Sequence, residues 1–298
     1  MLFSRKEKAG GKESPAKGGG GRLAIIAGSG PMPGHIARSA ARAGESPFIF
    51  AIRGETDMDL AGFEHAVVAI SQISTAHAIA TGKGIGRVAC AGNFRRPDFD
   101  DIKWEWGALK AVPKLLQLRM GGDDRANTII ADVIEAFGFR LVGPLEIAPD
   151  IATPTGALTR KKPDRAARAD VECGLTAIRQ MGPLDIGQAV VAASGRIVAV
   201  EAAEGTDAMV ERCAALRANG RFRVRPPSGV LVKAAKPGQD RRLDLPVAGV
   251  KTVEMAIAAQ LAGIALEAGS VLIPERHEMR KLADEAGLFI VGIAGEPA

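Results

Sequence analysis

The sequence between Arg22 and about Pro149 alternates short apolar segments with longer segments of helical periodicity. The short runs predict buried strands and the longer segments predict helices. Strands separated by helices of this length need crossover connections, which favours a parallel sheet covered on both faces. The predicted strands are Leu23–Ala27, Phe48–Ile52, Ala66–Ile70, Arg87–Ala91 and Arg140–Val142. The predicted helices are Gly34–Ala43, Ser71–Thr81, Trp104–Arg119 and Arg125–Phe137.

The pattern changes after Pro144, where a polar stretch with three prolines (residues 147–170) predicts a linker. Beyond it we predict a hairpin and then a second set of alternating elements. The fold class is therefore α/β, with an N-terminal Rossmann-like parallel-sheet domain (22–149) and a second α/β domain (150–298). A flexible, basic, Gly-rich tail (1–21) precedes both. The predicted elements of the second domain are the strands Gln188–Ala193, Arg196–Ala202, Gly229–Ala235, Val271–Ile273 and Leu288–Ile293 and the helices Thr206–Ala218, Lys251–Leu266 and Glu275–Ala286.

Composition limits the classes of partner and compartment. Aromatic residues make up 4% of the chain, without any Tyr, and the net charge is only +5, so we predict no nucleic-acid partner. Three widely spaced cysteines match neither a disulfide framework nor a metal knuckle, which favours a reducing compartment. No apolar run is long enough to cross a bilayer, so we expect a cytoplasmic protein whose membrane contact, if any, is peripheral.

The stretch AGSGPMPG (27–34) follows the first predicted strand and opens a helix. A glycine turn at a helix N-terminus can bind a phosphate through backbone N–H groups, which makes Gly28, Ser29, Gly30 and Met32 candidate ligand contacts. The pattern reads GxGxxxG, not the dinucleotide fingerprint GxGxxG. A purely structural turn and a nicotinamide site, in which Arg53 meets a 2′-phosphate, both stay open.

Two further loops are expected at the same edge of the sheet. One carries Arg95 and Arg96, whose guanidinium groups suit phosphate, although a solvated basic loop has the same appearance. The other carries Asp123 and Asp124 just before a helix, where either residue is an ordinary N-cap or a ligand for Mg²⁺ or a nucleotide.

Acidic residues are dense in the second domain around a predicted strand-to-helix turn. Glu201, Glu204 and Asp207 lie within seven residues, with Thr206 among them. Three carboxylates are more than helix capping requires, and hard oxygen ligands suit Mg²⁺.

The densest polar stretch follows the next predicted strand. Lys233 ends an apolar segment, and Asp244 lies between two leucines just before a proline, where a merely solvated acid is less expected. Gly249 and Thr252 then open another helix, which is a second candidate anion site. Neither a serine-hydrolase elbow nor a zinc-binding histidine spacing occurs in the chain.

Five segments together resemble the UDP-2,3-diacylglucosamine pyrophosphatases of the alphaproteobacterial type. The resemblance runs in order from about Arg22 to Ile293. The segments are LAIIAGSGPMP, GDDRANTIIADVIEAFGFRLVG, IVAVEAAEGTDAMVERC, GVLVKAAKPGQDRRLDLPVAGVKTVEMA and LAGIALEAGSVLIPERHEMRKLADEAGLFIVGI. The third and fourth contain the most specific motifs, whereas AGSGPMP is common.

The resemblance implies two α/β domains that hold a lipid-linked UDP-sugar between them, with the acyl chains in an apolar groove. It implies Mg²⁺, or Mn²⁺ in its place, and water attack on the α-phosphate that releases UMP and 2,3-diacylglucosamine 1-phosphate (lipid X). An acid at the position of Asp244 is essential in this family. The resemblance also implies peripheral contact with the inner face of the cytoplasmic membrane, and a homodimer stays open.

These arguments assign a role to each candidate residue. Asp244 is the predicted catalytic residue, and the predicted metal ligands are Asp244, Glu201, Glu204 and Asp207. An NAD(P)-dependent reductase and a non-catalytic nucleotide-sugar binding protein stay open as alternatives. The predicted substrate contacts are Gly28, Ser29, Gly30, Met32, Arg95, Arg96, Asp123, Asp124, Thr206, Lys233, Gly249 and Thr252.

Overall fold

A computed structural model describes residues 20–94 and 123–295. The N-terminal half forms a five-stranded sheet in the order β3-β2-β1-β4-β5, and every neighbouring pair of strands is parallel. This is the order of the first five strands in doubly wound sheets, in which the direction of strand addition reverses between β1 and β4. The elements are β1 (Arg22–Ala27), α1 (Pro31–Arg42), β2 (Phe48–Ile52), β3 (Glu64–Val68), α2 (Ile73–Gly82), β4 (Ile85–Ala91), α3 (Asp123–Ala136), β5 (Arg140–Leu141) and α4 (Pro144–Ile147).

Strand β1 is central because its side chains are apolar on both faces. Leu23 and Ile25 pack towards α1, and Ala24 packs on the opposite face with Phe48 and Phe50. A strand buried on both faces reads as a continuous apolar run, as predicted for a parallel sheet. The predicted parallel α/β architecture is therefore confirmed in this half.

The edge strand β3 begins and ends two residues earlier than predicted. Its last ladder bond joins the N–H of Arg53 to the carbonyl of Val68. The side chain of Gln72 accepts a hydrogen bond from the N–H of Ala69, which turns the chain out of the sheet. The predicted helix Trp104–Arg119 and residues 1–19 of the predicted tail lie outside the described residues.

The C-terminal half contains a mixed six-stranded sheet in the order β6-β11-β10-β9-β7-β8. Strands β9, β10 and β11 are parallel, and β7 and β8 form the predicted antiparallel hairpin. Helix α5 covers one face, and α6, α7 and α8 cover the other. The elements are β6 (Gly156–Ala157), α5 (Arg165–Met181), β7 (Ala189–Ala193), β8 (Arg196–Val200), α6 (Gly205–Ala218), β9 (Val230–Lys233), α7 (Val250–Ala258), β10 (Gly263–Glu267), α8 (Arg276–Ala286) and β11 (Phe289–Ile293).

Three predictions in this half are wrong. The predicted strand Val271–Ile273 is not formed, because the chain bends at Val271 and Leu272 makes only isolated bridges, with Ala152 and Val247. The helix expected over Lys251–Leu266 ends at Ala258, because Gln260 adopts a φ of +53° and the chain then enters the central strand β10. The segment read as part of a linker contains the start of α5, whose N-terminus is capped by the side chain of Asp164. Short apolar runs do not by themselves distinguish a buried helix from a buried strand.

A loop of the C-terminal half, residues 240–247, packs against the N-terminal half. Leu245 is buried in the cluster that contains Leu23, Ile25 and α1. Arg242 forms an ion pair with Glu135 of α3. These contacts place Asp244 between the two halves of the chain. Within the described residues, no helix has both the length and the apolar character needed to cross a membrane.

Candidate active site

The centre of the candidate site is Lys233, the last residue of β9. The three residues before it are completely buried, and Lys233 itself is only 7% exposed. Its ammonium donates a hydrogen bond to Thr206 Oγ1 over 2.7 Å. Burial lowers the pKa of Lys233, and the carboxylates of Glu201, Asp207 and Asp244 oppose this shift. A desolvated cation therefore lies near three acidic groups at the carboxyl ends of the parallel strands, where ligands bind in open α/β sheets.

The strand register explains why these residues meet. Ala189, at the start of β7, pairs with Lys233 at the end of β9. The antiparallel hairpin brings the end of β8, followed by Glu201, beside the start of β7, where the N–H of Glu201 donates to the carbonyl of Ala189. Gln188 therefore lies between the ends of two strands.

Hydrogen bonds join these groups into one network. Thr206 Oγ1 donates to Glu201 Oε1 over 2.7 Å, and the backbone N–H of Gln188 donates to Glu201 Oε2 over 2.9 Å. The side-chain Nε2 of Gln188 donates to Asp244 Oδ1 over 3.3 Å. These hydrogen bonds form one continuous chain, which runs from Lys233 through Thr206, Glu201 and Gln188 to Asp244.

The loop that carries Asp244 is held by a turn. The N–H groups of Leu243 and Asp244 both donate to the carbonyl of Asp240. The Asp240 carboxylate accepts two side-chain hydrogen bonds from Arg242, which hold the pKa of Asp240 below its usual value. Asp244 is half-buried, so one of its oxygens contacts Gln188 while solvent still reaches the residue.

The other predicted metal ligands point elsewhere. Glu204 forms an ion pair with Arg212 at 2.9 Å, and Asp207 forms one with Lys251 at 2.7 Å. Among residues 20–94 and 123–295, no group of three or more His, Cys, Asp or Glu side chains is arranged to hold a metal ion. The four predicted carboxylates therefore do not form one preformed set of ligands in this structure.

The glycine turn after β1 is built into the N-terminal sheet. The N–H of Gly28 donates to the carbonyl of Ala91, and the N–H of Ser29 donates to the carbonyl of Asn93. The N–H of Gly30, which has a φ of +91°, donates to Asp57 Oδ1 over 2.8 Å. The N–H groups of Gly28, Ser29 and Gly30, three of the four predicted contacts in this turn, are thus already paired within the protein.

Gly28 is required by a close approach of two backbone segments. A Cβ atom at this position would lie 2.4 Å from the carbonyl oxygen of Asn93, well inside van der Waals contact. The side chain of Met32 is buried with Leu23 and Ile25 and packs in the core, and the substrate contact at Met32 stays a prediction from the sequence.

A cleft of about 400 Å³ adjoins this turn. Among its lining residues are Gly30, Arg38, Asp57, Met58 and Asp59. It lies between the turn after β1 and the loop after β2, at the carboxyl ends of these strands, where ligands commonly bind in open α/β sheets.

The second predicted anion site, at the start of α7, is filled by a side chain of the protein. Glu275 Oε2 accepts the N–H of Val250 over 3.2 Å, and a Cβ atom on Gly249 would lie 2.7 Å from the same oxygen. Thr252 is buried, and its hydroxyl accepts the N–H of Gly249. A carboxylate therefore already satisfies this helix N-terminus, and the substrate contact at Gly249 and Thr252 stays a prediction from the sequence.

Two family models match the chain. The LpxI N-terminal domain matches residues 22–151, and the LpxI C-terminal domain matches residues 154–291. The chain belongs to the LpxI family.

The chain is also similar to the UDP-2,3-diacylglucosamine pyrophosphatase LpxI of Caulobacter vibrioides. The two are 37% identical over 272 residues, which cover 91% of this chain and 97% of that protein. Both LpxI domains are therefore present in their usual order, and the resemblance predicted from the motifs is confirmed.

Some predicted LpxI site residues are not positioned by the structure. Arg95 and Arg96 lie outside the described residues, and the same applies to the side chains of Asp123 and Asp124, whose backbone opens α3. They stay predictions from the sequence.

Gln188 and Asp57 are contacts that the sequence reasoning missed. The predicted hairpin already placed Gln188 opposite Glu201, so its register was the signal that could have identified Gln188. Asp57 follows β2, the position at which a doubly wound sheet commonly carries an acid.

Proposed function

We propose that this chain hydrolyses the pyrophosphate of UDP-2,3-diacylglucosamine to UMP and 2,3-diacylglucosamine 1-phosphate, a step of lipid A biosynthesis. The observation that carries the proposal is the similarity to the Caulobacter pyrophosphatase over nearly the whole length of both proteins. The site supports it, because a buried ammonium and a half-buried carboxylate lie together between the two halves of the chain.

Lys233 supplies the positive charge for the pyrophosphate. Its ammonium has three N–H donors. Within the described residues, one of these donors forms a hydrogen bond, to Thr206. In a site with little solvent, such a cation offsets phosphate charge far more strongly than a lysine on the surface.

Asp244 acts on the attacking water or on a metal ion. Mg²⁺ is usually bound by one or two carboxylates together with substrate phosphates, so the single carboxylate of Asp244 fits this mode without a complete set of protein ligands. When bound, Mg²⁺ polarises the scissile phosphate and lowers the pKa of a coordinated water. Asp244 then either holds the cation or accepts the proton of the water. Mn²⁺ has similar ligand preferences and is the second candidate.

We infer that the N-terminal sheet, which has the strand order of a Rossmann-like domain, binds the nucleotide end of the substrate. The cleft beside Gly30 lies at the carboxyl edge of this sheet, and it offers Arg38 and Asp57 as polar groups. Because the amides of Gly28, Ser29 and Gly30 are already paired, the contact there is expected to be with the nucleoside rather than with phosphate.

The substrate carries two acyl chains, so we also propose that the enzyme works at the cytoplasmic face of the inner membrane as a peripheral protein. Co-flotation of the protein with anionic lipid vesicles tests this proposal. If the protein does not float with the vesicles, the enzyme acts on substrate dispersed in solution. A homodimer is a separate proposal, tested by light scattering of the purified chain.

The central experiment is incubation with UDP-2,3-diacylglucosamine and Mg²⁺ in H₂¹⁸O, followed by mass spectrometry of the products. We expect UMP that carries ¹⁸O and unlabelled 2,3-diacylglucosamine 1-phosphate, since attack on the α-phosphorus adds the water oxygen to UMP. Label in the sugar phosphate would place the attack on the β-phosphorus. Failure to hydrolyse the substrate, together with a rise in melting temperature with NADPH, would favour a reductase. Stabilisation by a UDP-sugar without turnover would favour a binding protein.

A further inference from the structure

Both oxygens of the partly buried Glu201 carboxylate accept hydrogen bonds from the protein. One oxygen accepts the Thr206 hydroxyl, and the other accepts the backbone N–H of Gln188. The two backbone segments approach so closely that only glycine fits at position 187, because a Cβ atom there would lie 2.2 Å from the Glu201 carbonyl oxygen. Glu201 is therefore fixed in position as an acceptor of two hydrogen bonds.

The hydroxyl of Thr206 has a defined direction. A hydroxyl has one proton, and here that proton is donated to Glu201, so the oxygen is left to accept from Lys233. A hydroxyl that donates to a carboxylate becomes a better acceptor, because linked hydrogen bonds polarise one another. The Lys233 ammonium is thus held by a neutral oxygen although three carboxylates lie close enough to influence it.

Gln188 joins this arrangement to Asp244. Its backbone N–H donates to Glu201, and its side-chain amide donates to Asp244 Oδ1. Gln188 therefore links Glu201, which orients the Thr206 hydroxyl, to Asp244 on the loop between the two halves of the chain.

We propose that Gln188, Glu201 and Thr206 are positioning residues that hold Lys233 and Asp244 in a fixed relation for attack on the pyrophosphate. The proposal rests on the proposed function. Without the Thr206 hydroxyl, the ammonium would pair with a neighbouring carboxylate and leave the place of the substrate phosphate. Without the Gln188 amide, Asp244 would lose the donor that orients it.

A pair of substitutions at Thr206 tests the first link. Thr206→Val keeps the shape and removes the hydroxyl, whereas Thr206→Ser keeps the hydroxyl. We expect Thr206→Val to raise KM for UDP-2,3-diacylglucosamine and the Kd for inorganic pyrophosphate by about tenfold, the effect of losing one hydrogen bond to a charged group. Thr206→Ser should recover most of this loss. Thr176→Val, which removes an exposed helical hydroxyl bonded to the carbonyl of Glu172, is the control.

A substitution at Gln188 tests the second link. Gln188→Leu should lower kcat by about tenfold and change KM by less than threefold, because Asp244 acts on the reaction rather than on binding. Gln180→Leu, at an exposed position on α5, is the matched control. A merely structural role would lower the melting temperature and leave kcat and KM of the folded enzyme unchanged.

The outcomes separate this proposal from the proposed function. If the wild-type enzyme hydrolyses the substrate but Thr206→Ser is impaired as much as Thr206→Val, or Gln188→Leu keeps its kcat, the positioning role is wrong. If the wild-type enzyme does not hydrolyse the substrate, the proposed function fails. In that case calorimetry of pyrophosphate binding still tests the link between Thr206 and Lys233. An unchanged Kd for pyrophosphate in Thr206→Val would overturn this link.

Discussion

The guanidinium of Arg242 lies 2.7 Å from a carboxylate oxygen of Glu135 and so connects a loop of the C-terminal half to helix α3 of the N-terminal half. Both side chains are partly exposed to solvent, so the pair contributes little stability by itself. The same loop also buries Leu245 in the N-terminal core, and that apolar contact anchors it. Asp244 lies between these two contacts, on a loop that both halves of the chain hold in place.

Asp244→Asn should abolish turnover without unfolding the protein. The substitution keeps the size of the side chain and removes the charge needed to hold a cation or accept a proton. We expect kcat to fall by at least about 100-fold while the melting temperature stays within a few degrees of the wild type. Glu285→Gln, on the exposed surface of α8, is the control. Retention of more than a tenth of the wild-type kcat would contradict the assignment.

Removal of divalent cations should stop the reaction. After dialysis against EDTA we expect activity to fall to background and to return with Mg²⁺ or Mn²⁺, because the available ligands are carboxylate and phosphate oxygens. The measurement is the initial rate of UMP release at a series of metal concentrations. Full activity in excess chelator would remove the metal ion from the mechanism.

Gly28→Ala should destabilise the N-terminal sheet. The added methyl group meets the Asn93 carbonyl oxygen at 2.4 Å, and backbone that pairs two segments has little room to move. We expect the free energy of unfolding in urea to fall by about 2 kcal/mol or more, as for other overpacked sites. Gly82→Ala is the control, since that methyl group meets open space on α2 and should change stability by about 1 kcal/mol at most. Equal stability of the two variants would show that this close approach is not rigid.

Asp240→Asn should change how stability depends on pH. Hydrogen bonds from Arg242 lower the pKa of Asp240 in the folded protein, so its ionised form stabilises the fold above the unfolded pKa of about 4. This stabilisation is lost as the pH falls through the lowered folded pKa. The wild type should therefore exceed the variant by about 1 kcal/mol near pH 6, and the difference should shrink below about pH 4. Urea unfolding at several pH values measures it, and a constant difference would contradict the assignment.

The double variant Arg95→Ala with Arg96→Ala tests a prediction made from the sequence. A basic loop at the ligand edge of the sheet should bind the phosphates, so we expect a higher KM or a lower kcat at an unchanged melting temperature. Arg196→Ala, at an exposed position of β8, controls for loss of surface charge. Unchanged kinetics would show that the two arginines are only solvated.

Local sequence patterns predicted most of the N-terminal half, because a strand buried on both faces needs a continuous apolar run and its crossover helix needs a periodic one. The same reasoning failed for β10. Its apolar residues directly follow those of α7, and the left-handed turn at Gln260 has neither glycine nor proline to mark it. Only the pairing of β10 with β9 and β11 distinguishes this strand from a longer helix.

The sequence by itself determined the α/β class, the family and the choice of Asp244 and Lys233, since these depend on residue type and local order. The tertiary structure decided which groups are available to a ligand. Asp57 and Glu275 are distant in sequence from the helix N-termini that they satisfy, yet they take donors that the local pattern assigned to phosphate. Tertiary packing likewise brings Gln188 to Asp244 across 56 positions of the chain. Hydrogen-bond donors pair with whichever acceptor the fold brings near, and that choice is made by packing rather than by neighbouring residues.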